Sequence, residues 1–239
     1  MLDKNKIFII FILSFILMAC GSDELYIDQL KNQLKNVSDY SIILNDMKEE
    51  GNFSSTYFHK YQVVQADKSW TTDWQEVPKD FYEKNKTFLG MTLASAVGGK
   101  AVNNVSPPGY NFVGNEQYGQ WRQDSSGNSF WEFYGKYRMF TDVLGFLSGP
   151  IYRRDYDDYD YNRSRRRPYF GRHNQYGTNG TFTKQSKPNF YERRMKREQA
   201  KKSSFSDKVS KRFGRTSYSS SKIGRTRSGF SSRSFSRGK

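Results

Sequence analysis

The longest apolar run in the sequence is residues 7–19, which follow Lys4 and Lys6. As an α-helix, these 13 residues span about 20 Å, whereas the hydrocarbon core of a bilayer is about 30 Å thick. A charged start and an apolar run of this length are typical of a signal peptide. The alternative interpretation is an N-terminal anchor that is not cleaved.

The next segment, residues 23–50, places apolar side chains close to a repeat of three to four residues and ends before Gly51. This spacing predicts an amphipathic helix. Two interpretations are open. The helix packs one face on a folded body, or it forms a short coiled coil and a dimer, although it has fewer than four clean heptads. The apolar positions are Ile27, Leu30, Leu34, Val37 and Leu44.

Two stretches in the middle of the chain favour β-structure. Residues 57–66 are rich in aromatic and β-branched side chains and predict a strand, and residues 70–77 predict its partner. Pro78 then opens a predicted helix that continues to Val97, where a pair of glycines ends the pattern.

Two aromatic runs, residues 118–123 and 129–134, flank a loop that contains glycine, and this arrangement predicts a β-hairpin. A short helix is predicted at residues 133–146. With the preceding elements, these features predict a small α+β body over residues 51–150. Its core would be aromatic, because aromatic residues make up 17% of the chain and apolar residues only 35%.

The composition changes after Pro150. Residues 151–187, rich in Tyr, Arg, Asp, Asn and Gly, are interpreted as a linker. Residues 188–239 are interpreted as a basic, largely disordered tail. A charged helix is predicted at its start, up to Lys202, because acidic and basic residues there are spaced four apart. From Ser203 onward, Ser, Arg, Lys and Gly alternate with single Phe residues, and such a segment buries too little apolar surface to offset its ordering entropy.

Charge is distributed unevenly along the chain. The net charge of +15 divides into +1 for residues 1–19, −4 for residues 20–150 and +18 for residues 151–239. Such asymmetry predicts that the tail contacts an anionic partner. The candidate contacts are Arg193, Arg194, Lys196, Arg197, Arg212, Arg215, Arg225, Arg227, Arg233 and Arg237.

Leu17 and Ala19 stand before Cys20, the only cysteine of the chain. This motif resembles the lipobox of bacterial lipoprotein signal peptides, although the methionine between Leu17 and Ala19 departs from the usual Ala, Ser or Thr. The resemblance implies cleavage before Cys20, a diacylglycerol on its sulfur and an acyl chain, such as palmitate, on the new amine. Residues 1–19 would then be the signal peptide, and residues 20–50 would join the lipidated cysteine to the amphipathic helix.

A second resemblance covers the aromatic block. It comprises Pro-Pro-Gly-Tyr, then Val-Gly-Asn-Glu-Gln-Tyr-Gly-Gln-Trp, then Phe-Trp-Glu-Phe-Tyr-Gly-Lys-Tyr. These runs are similar to those of uncharacterised bacterial envelope proteins, and the resemblance names no activity.

The chain has four tryptophans, and flat aromatic faces bind sugar rings and nucleobases. Trp121 and Trp131 are therefore a candidate ligand platform. The alternative is that all four belong to the core, because the chain has few aliphatic residues to fill one. The other two are Trp70 and Trp74.

A carboxylate cluster could provide oxygen ligands for calcium, but it lacks the turn glycine and closing glutamate of a calcium loop. The arginines around it predict local charge pairing instead. One cysteine and two distant histidines give no further metal-binding pattern, so we expect no metal and no cofactor. The cluster consists of Asp155, Asp157, Asp158 and Asp160.

Catalytic motifs are missing from the sequence: it contains no His-Glu-x-x-His, Gly-x-Ser-x-Gly or phosphate-binding glycine loop. Glu116, Asp124 and Glu132 could supply the paired carboxylates of a glycosidase, but nothing in the sequence positions them. We expect a protein that is not an enzyme.

The leading hypothesis is a non-enzymatic cell-envelope lipoprotein, exported and lipid-anchored in the cell membrane or outer membrane. Its partners would be membrane lipid, through acylated Cys20, and an anionic envelope polymer or lipid headgroups, through the tail. One alternative is a module that binds a glycan or a protein through the Trp-rich block. Another is a nucleic-acid-binding protein, because arginines alternate with phenylalanines in the tail. This alternative requires that the N-terminus is not a signal peptide. Export would remove nucleic acid as a partner.

Overall fold

The structure is a computed structural model that describes residues 24–51, 54–142 and 149–216. It divides into two compact units, one that ends at Tyr191 and one that begins at Glu192. The first unit combines an antiparallel sheet, a smaller sheet and short helices. The predicted α+β class is therefore confirmed.

A six-stranded antiparallel sheet forms the centre of the first unit. Strand β1 (Tyr40–Glu50) pairs with β2 (Thr56–Gln65) on one side and with β5 (Thr92–Val97) on the other. The short strands are β3 (Ser69–Thr71), β4 (Gln75–Val77) and β6 (Lys100–Val102). β3 and β4 both pair with β2, which confirms the strand and partner predicted at residues 57–66 and 70–77, and β6 pairs with β5.

The helix predicted over residues 23–50 is wrong in its second half. Helix α1 covers only Tyr26–Gln33, and β1 follows it. Ile42 and Leu44 join one hydrophobic cluster and Ile43 joins another, so β1 is buried on both faces. Such a strand shows a continuous apolar run instead of alternation, and that run resembles a helical repeat. The coiled-coil interpretation is also wrong, because no single helix carries the repeat.

The first part of that repeat forms a helix that packs one face on the folded body, which was the other interpretation of this segment. Ile27 and Leu30 of α1, together with Leu34 just after it, are buried in the same cluster as Tyr61 of β2. Phe190 joins this cluster from the other end of the first unit. One face of α1 therefore covers the sheet, and a residue far along the chain completes the cover.

The helix predicted from Pro78 to Val97 is two elements. Helix α2 (Lys79–Asn85) follows Pro78, and β5 begins after Gly90, whose φ is +75°. Helix α2 ends at Asn85, and the positive φ of Gly90, which glycine adopts without steric cost, excludes one continuous helix from Pro78 to Val97. The residues after Gly90 form strand β5, so the prediction of a single helix from Pro78 to Val97 is wrong.

The predicted aromatic hairpin is confirmed. Strand β7 (Gly119–Gln123) pairs with β8 (Ser129–Phe133), and β9 (Ile151–Tyr152) extends this second sheet beside β8. The short helix predicted after the hairpin is a 3-10 turn at Gly135–Tyr137 followed by α3 (Met139–Asp142). The last residues of that prediction lie outside the described part of the chain.

Residues 151–187 belong to the folded body, so their interpretation as a linker is wrong. They contain α4 (Arg153–Ser164) and α5 (Thr181–Ser186). Tyr159 of α4 is fully buried, and its hydroxyl donates a 2.6 Å hydrogen bond to Asn111 Oδ1. The composition misled because this part of the core is built from tyrosines, which also occur in polar linkers.

The last helix, α6 (Pro188–Thr216), extends beyond the charged helix predicted for its first half. Residues 203–216 are helical, which corrects the prediction of disorder for this stretch. Phe205 and Val209 lie four residues apart and give the stretch helical apolar spacing, which composition alone did not reveal. The rest of the predicted tail, residues 217–239, lies outside the described part.

Candidate functional site

The two tryptophans of the candidate platform are paired across the hairpin. Trp121 of β7 lies opposite Trp131 of β8, with ring centroids 5.1 Å apart and planes at 72°. Trp131 is only 4% exposed and also contacts the ring of Phe133. Gly119 allows this packing, since a Cβ there would lie 2.7 Å from Trp131 Nε1. The geometry places Trp131 in the core, with little of its ring exposed.

Trp121 is half-buried, and its ring already has a cationic neighbour. The Arg153 guanidinium lies 4.7 Å from the ring centroid, and the Tyr156 ring lies 5.7 Å away. Cation–π contact and edge-to-face packing both stabilise such an arrangement. The pair therefore joins the hairpin to α4 and does not form a two-ring platform for stacking.

The other two tryptophans lie beside lysines. Trp74 has Lys48 Nζ at 4.5 Å and Lys60 Nζ at 5.7 Å from its ring. Trp70 is one of the exposed large side chains and has Lys68 Nζ at 5.7 Å. Each ring thus provides a surface for a cation of the same unit.

Three aspartates of α4 form ion pairs with arginines, and the loosest is Asp158 with Arg172 at 3.9 Å. Asp157 accepts a hydrogen bond from Arg153, and Asp160 accepts one from Arg163 at 2.6 Å. In the described part of the chain, no group of three or more His, Cys, Asp or Glu side chains is arranged to hold a metal ion. This geometry is the local charge pairing that the surrounding arginines predicted.

The candidate acid–base residues of the hairpin have structural partners. The Asp124 carboxylate accepts hydrogen bonds from the backbone N–H groups of Asn128 and Ser126 and closes the loop. The bond from Asn128 holds the pKa of Asp124 below its usual range. Arg122 holds the pKa of Glu132 low through a 2.9 Å hydrogen bond.

Glu116, the third candidate, is exposed on the turn before β7. The geometry brings Asp124 and Glu132 onto one hairpin, but each carboxylate serves a neighbour on that hairpin. A glycosidase pair would need one carboxyl group with a raised pKa, whereas the pKa is lowered at both Asp124 and Glu132.

A buried polar network links parts of the chain that are distant in sequence. Asn111 accepts hydrogen bonds from Tyr159 and Ser106 and donates one to Ser95 at 2.7 Å. Burial raises the pKa of Tyr159 and of the nearby Tyr176 to about 12 each, so both side chains remain neutral. Sequence reasoning missed these residues, and the recurring tyrosines of residues 151–187 were the available signal.

A second network surrounds Asp39, which lies just before β1. Its Oδ1 accepts a 2.6 Å hydrogen bond from the Tyr118 hydroxyl and a 2.8 Å bond from the backbone N–H of Gly98. Tyr118 is fully buried. The bond ties the start of the hairpin to the central sheet.

His59 of β2 is fully buried among aromatic rings. Its Nδ1 lies 3.1 Å from the Tyr61 hydroxyl, and its Nε2 has no partner among the described residues. The rings of Phe81 and Tyr82 each lie 5.5 Å away. Burial lowers the pKa of His59 to about 4, so the ring is neutral at neutral pH.

The second unit presents the basic residues of the predicted tail. Residues 192–216 contain ten Lys or Arg and three Asp or Glu, a net charge of +7. Met195 is 59% exposed and Phe205 is 69% exposed. Arg225, Arg227, Arg233 and Arg237 lie outside the described residues. The predicted contacts for an anionic partner that lie on α6 are Arg193, Arg194, Lys196, Arg197, Arg212 and Arg215.

The lipobox residues Leu17, Ala19 and Cys20 also lie outside the described part. Within residues 24–51, 54–142 and 149–216, no helix combines the length and apolar character needed to cross a bilayer.

The described residues define the protein as an α+β body followed by a basic helix. No protein-family model, curated protein or solved structure matches the chain.

Proposed function

We propose that the protein is a non-enzymatic lipoprotein of the bacterial cell envelope, exported and anchored in a membrane by acyl chains on Cys20. One observation carries the proposal. The only cysteine follows Leu17 and Ala19 at the end of a 13-residue apolar run, where lipid attachment requires it. Each buried methylene of an acyl chain contributes about 0.8 kcal/mol, and two or three chains hold a protein stably.

An acyl anchor on Cys20 would place the folded body close to the bilayer. Helix α1 begins at Tyr26, six residues after Cys20. An extended chain advances at most about 3.6 Å per residue, so this tether reaches no more than about 22 Å. An acylated Cys20 would therefore hold the first unit beside the bilayer surface, where a partner would also have to lie.

The charge of α6 supports an anionic partner. Each Lys or Arg near an anionic membrane contributes about 1 kcal/mol before screening. Because the Debye length is about 8 Å at physiological salt, we expect this contact to weaken as salt increases. Lipid headgroups and anionic envelope polymers both carry the required charge.

Metabolic labelling with a radioactive fatty acid tests the anchor. We expect label in the wild-type protein and none in Cys20→Ser. A Cys20→Ser/Ser22→Cys variant retains one cysteine but moves it two positions out of the motif, so it is expected to stay unlabelled as well. Label in this double variant, or no label in the wild type, would contradict the proposal.

A further inference from the structure

The second half of α6 separates apolar from basic positions. Phe205 and Val209 lie one turn apart, and position 213, also a phenylalanine, follows one turn later. At about 100° per residue these three positions fall within a sector of about 80°. The basic residues of the stretch lie outside this sector. They are Lys208, Lys211, Arg212 and Arg215.

On the apolar side of this stretch, Phe205 is exposed and Val209 is half-buried. The ring of Phe205 is 69% exposed, and Met195 on the first half of the helix is 59% exposed. All the hydrophobic clusters found among the described residues are formed by the first unit, so none of them includes Phe205. A helical segment of this length is marginal in water by itself, and a surface that covers its apolar side would stabilise it.

The charge of the helix decides which surface fits. Residues 192–216 carry a net charge of +7 and would be attracted by any polyanion. A soluble polyanion, however, satisfies only the lysines and arginines and leaves Phe205 in water. A bilayer with anionic headgroups satisfies both sides, because a helix with one basic and one apolar face lies in the interface between headgroups and acyl chains.

We infer that residues 203–216 bind an anionic lipid surface as an interfacial helix, with Phe205 and Val209 toward the acyl chains and Lys208 and Lys211 toward the phosphates. The inference rests on the proposed function and deepens it. The acyl anchor on Cys20 brings the chain to a membrane, and the inference names lipid headgroups as the anionic partner.

Vesicle flotation of the full mature chain tests the inference. All proteins carry Cys20→Ser, so that no acyl chain contributes to binding. Phosphatidylcholine vesicles with and without phosphatidylglycerol are the probes. The test variant is Phe205→Ala/Val209→Ala, which preserves charge and raises helix propensity, as the control also does. The matched control is Ser203→Ala/Ser204→Ala. It also introduces two alanines, but on the polar side of the same helix.

We expect binding only to vesicles that contain phosphatidylglycerol. The apparent Kd should rise about tenfold or more in the Phe205→Ala/Val209→Ala variant and stay unchanged in the control. Tryptophan emission reports the fold of the first unit, since Trp131 is buried there, and it should be the same in all proteins.

Two outcomes would overturn the inference. Equal binding of the apolar variant and the control would mean a purely electrostatic contact. Absence of flotation with anionic vesicles would mean that lipid is not the partner. The labelling experiment on Cys20 is independent of both outcomes, so an unlabelled protein that still binds vesicles would contradict the anchor alone.

Discussion

The two units use aromatic residues in opposite environments. In the first, Tyr118 and Tyr159 are fully buried, and each hydroxyl donates a hydrogen bond to an oxygen of a partner side chain. In the second, Phe205 lies exposed on a helix whose other side is basic. The first unit buries Tyr118 and Tyr159 and provides partners for their hydroxyls, whereas the ring of Phe205 in the second unit is exposed. Aromatic content therefore does not indicate which part of this chain forms a core.

The strongest test of this comparison is Tyr159→Ala. It removes a fully buried ring that contacts Tyr110 and Tyr169 and donates a hydrogen bond to Asn111. We expect the free energy of unfolding to fall by about 3–5 kcal/mol in urea denaturation. Tyr161→Ala, on the exposed side of the same helix, is the control and should cost less than about 1 kcal/mol. Similar values for the two variants would mean that residues 151–187 are a linker after all.

The buried histidine predicts a pH dependence of stability. Because burial lowers the pKa of His59 from 6.5 to about 4, the unfolded chain binds a proton below pH 6.5 that the folded protein does not bind until about pH 4. This group has no effect above pH 6.5. Its contribution lowers the free energy of unfolding as pH falls from 6.5 to 4, by about 3 kcal/mol in total, and is constant at lower pH.

His59→Gln should remove that part of the pH dependence in denaturation curves collected between pH 7 and pH 4. His173→Gln replaces the exposed histidine in the same way and is the matched control. If the wild type and His59→Gln lose stability in parallel, the ring is not buried and neutral in the folded protein.

A smaller effect is expected from Tyr118→Phe, which deletes one hydroxyl and leaves the ring in place. The carboxylate of Asp39 would lose its 2.6 Å hydrogen bond, and Asp39 is itself buried. Loss of a hydrogen bond to a charged group costs about 1.5–3 kcal/mol. Tyr134→Phe removes an exposed hydroxyl from the end of the hairpin and should change stability by less than about 0.5 kcal/mol. Equal losses of stability in Tyr118→Phe and Tyr134→Phe would mean that the hydrogen bond to Asp39 does not stabilise the fold.

The smallest effect is expected from a chain that ends at Lys202. This truncation removes residues 203–239, and none of the hydrophobic clusters in the described part of the chain includes a residue beyond Tyr191. The free energy of unfolding of the first unit should change by less than about 0.5 kcal/mol. A loss above about 1 kcal/mol would show that the removed residues belong to the core.

Local patterns predicted some elements well. The hairpin at residues 118–134 and the strand at residues 57–66 could be recognised, because alternation and a glycine-containing loop are local signals. The second half of the helix predicted over residues 23–50 was wrong because β1 is covered on both faces by residues distant in sequence. Burial of that kind depends on the tertiary fold and leaves no periodic trace in the strand.

Some candidate site residues could be recognised from local sequence, and others only from the tertiary fold. The motif at Cys20 is read from adjacent residues and requires no fold. The burial of Trp131 and the partners of Asp124 and Glu132 depend on the pairing of β7 with β8, and His59 became notable only when its environment was known. The apolar spacing of Phe205 and Val209 was visible in the sequence, but the surrounding serines and arginines favoured a prediction of disorder.

Intact mass spectrometry of the mature protein, isolated from its native membrane, tests the central claim most directly. We expect a chain that begins at Cys20 and carries the added mass of a diacylglyceryl group, with or without a further acyl chain on the amine. A chain that retains residues 1–19, or one that begins elsewhere without lipid, would contradict it.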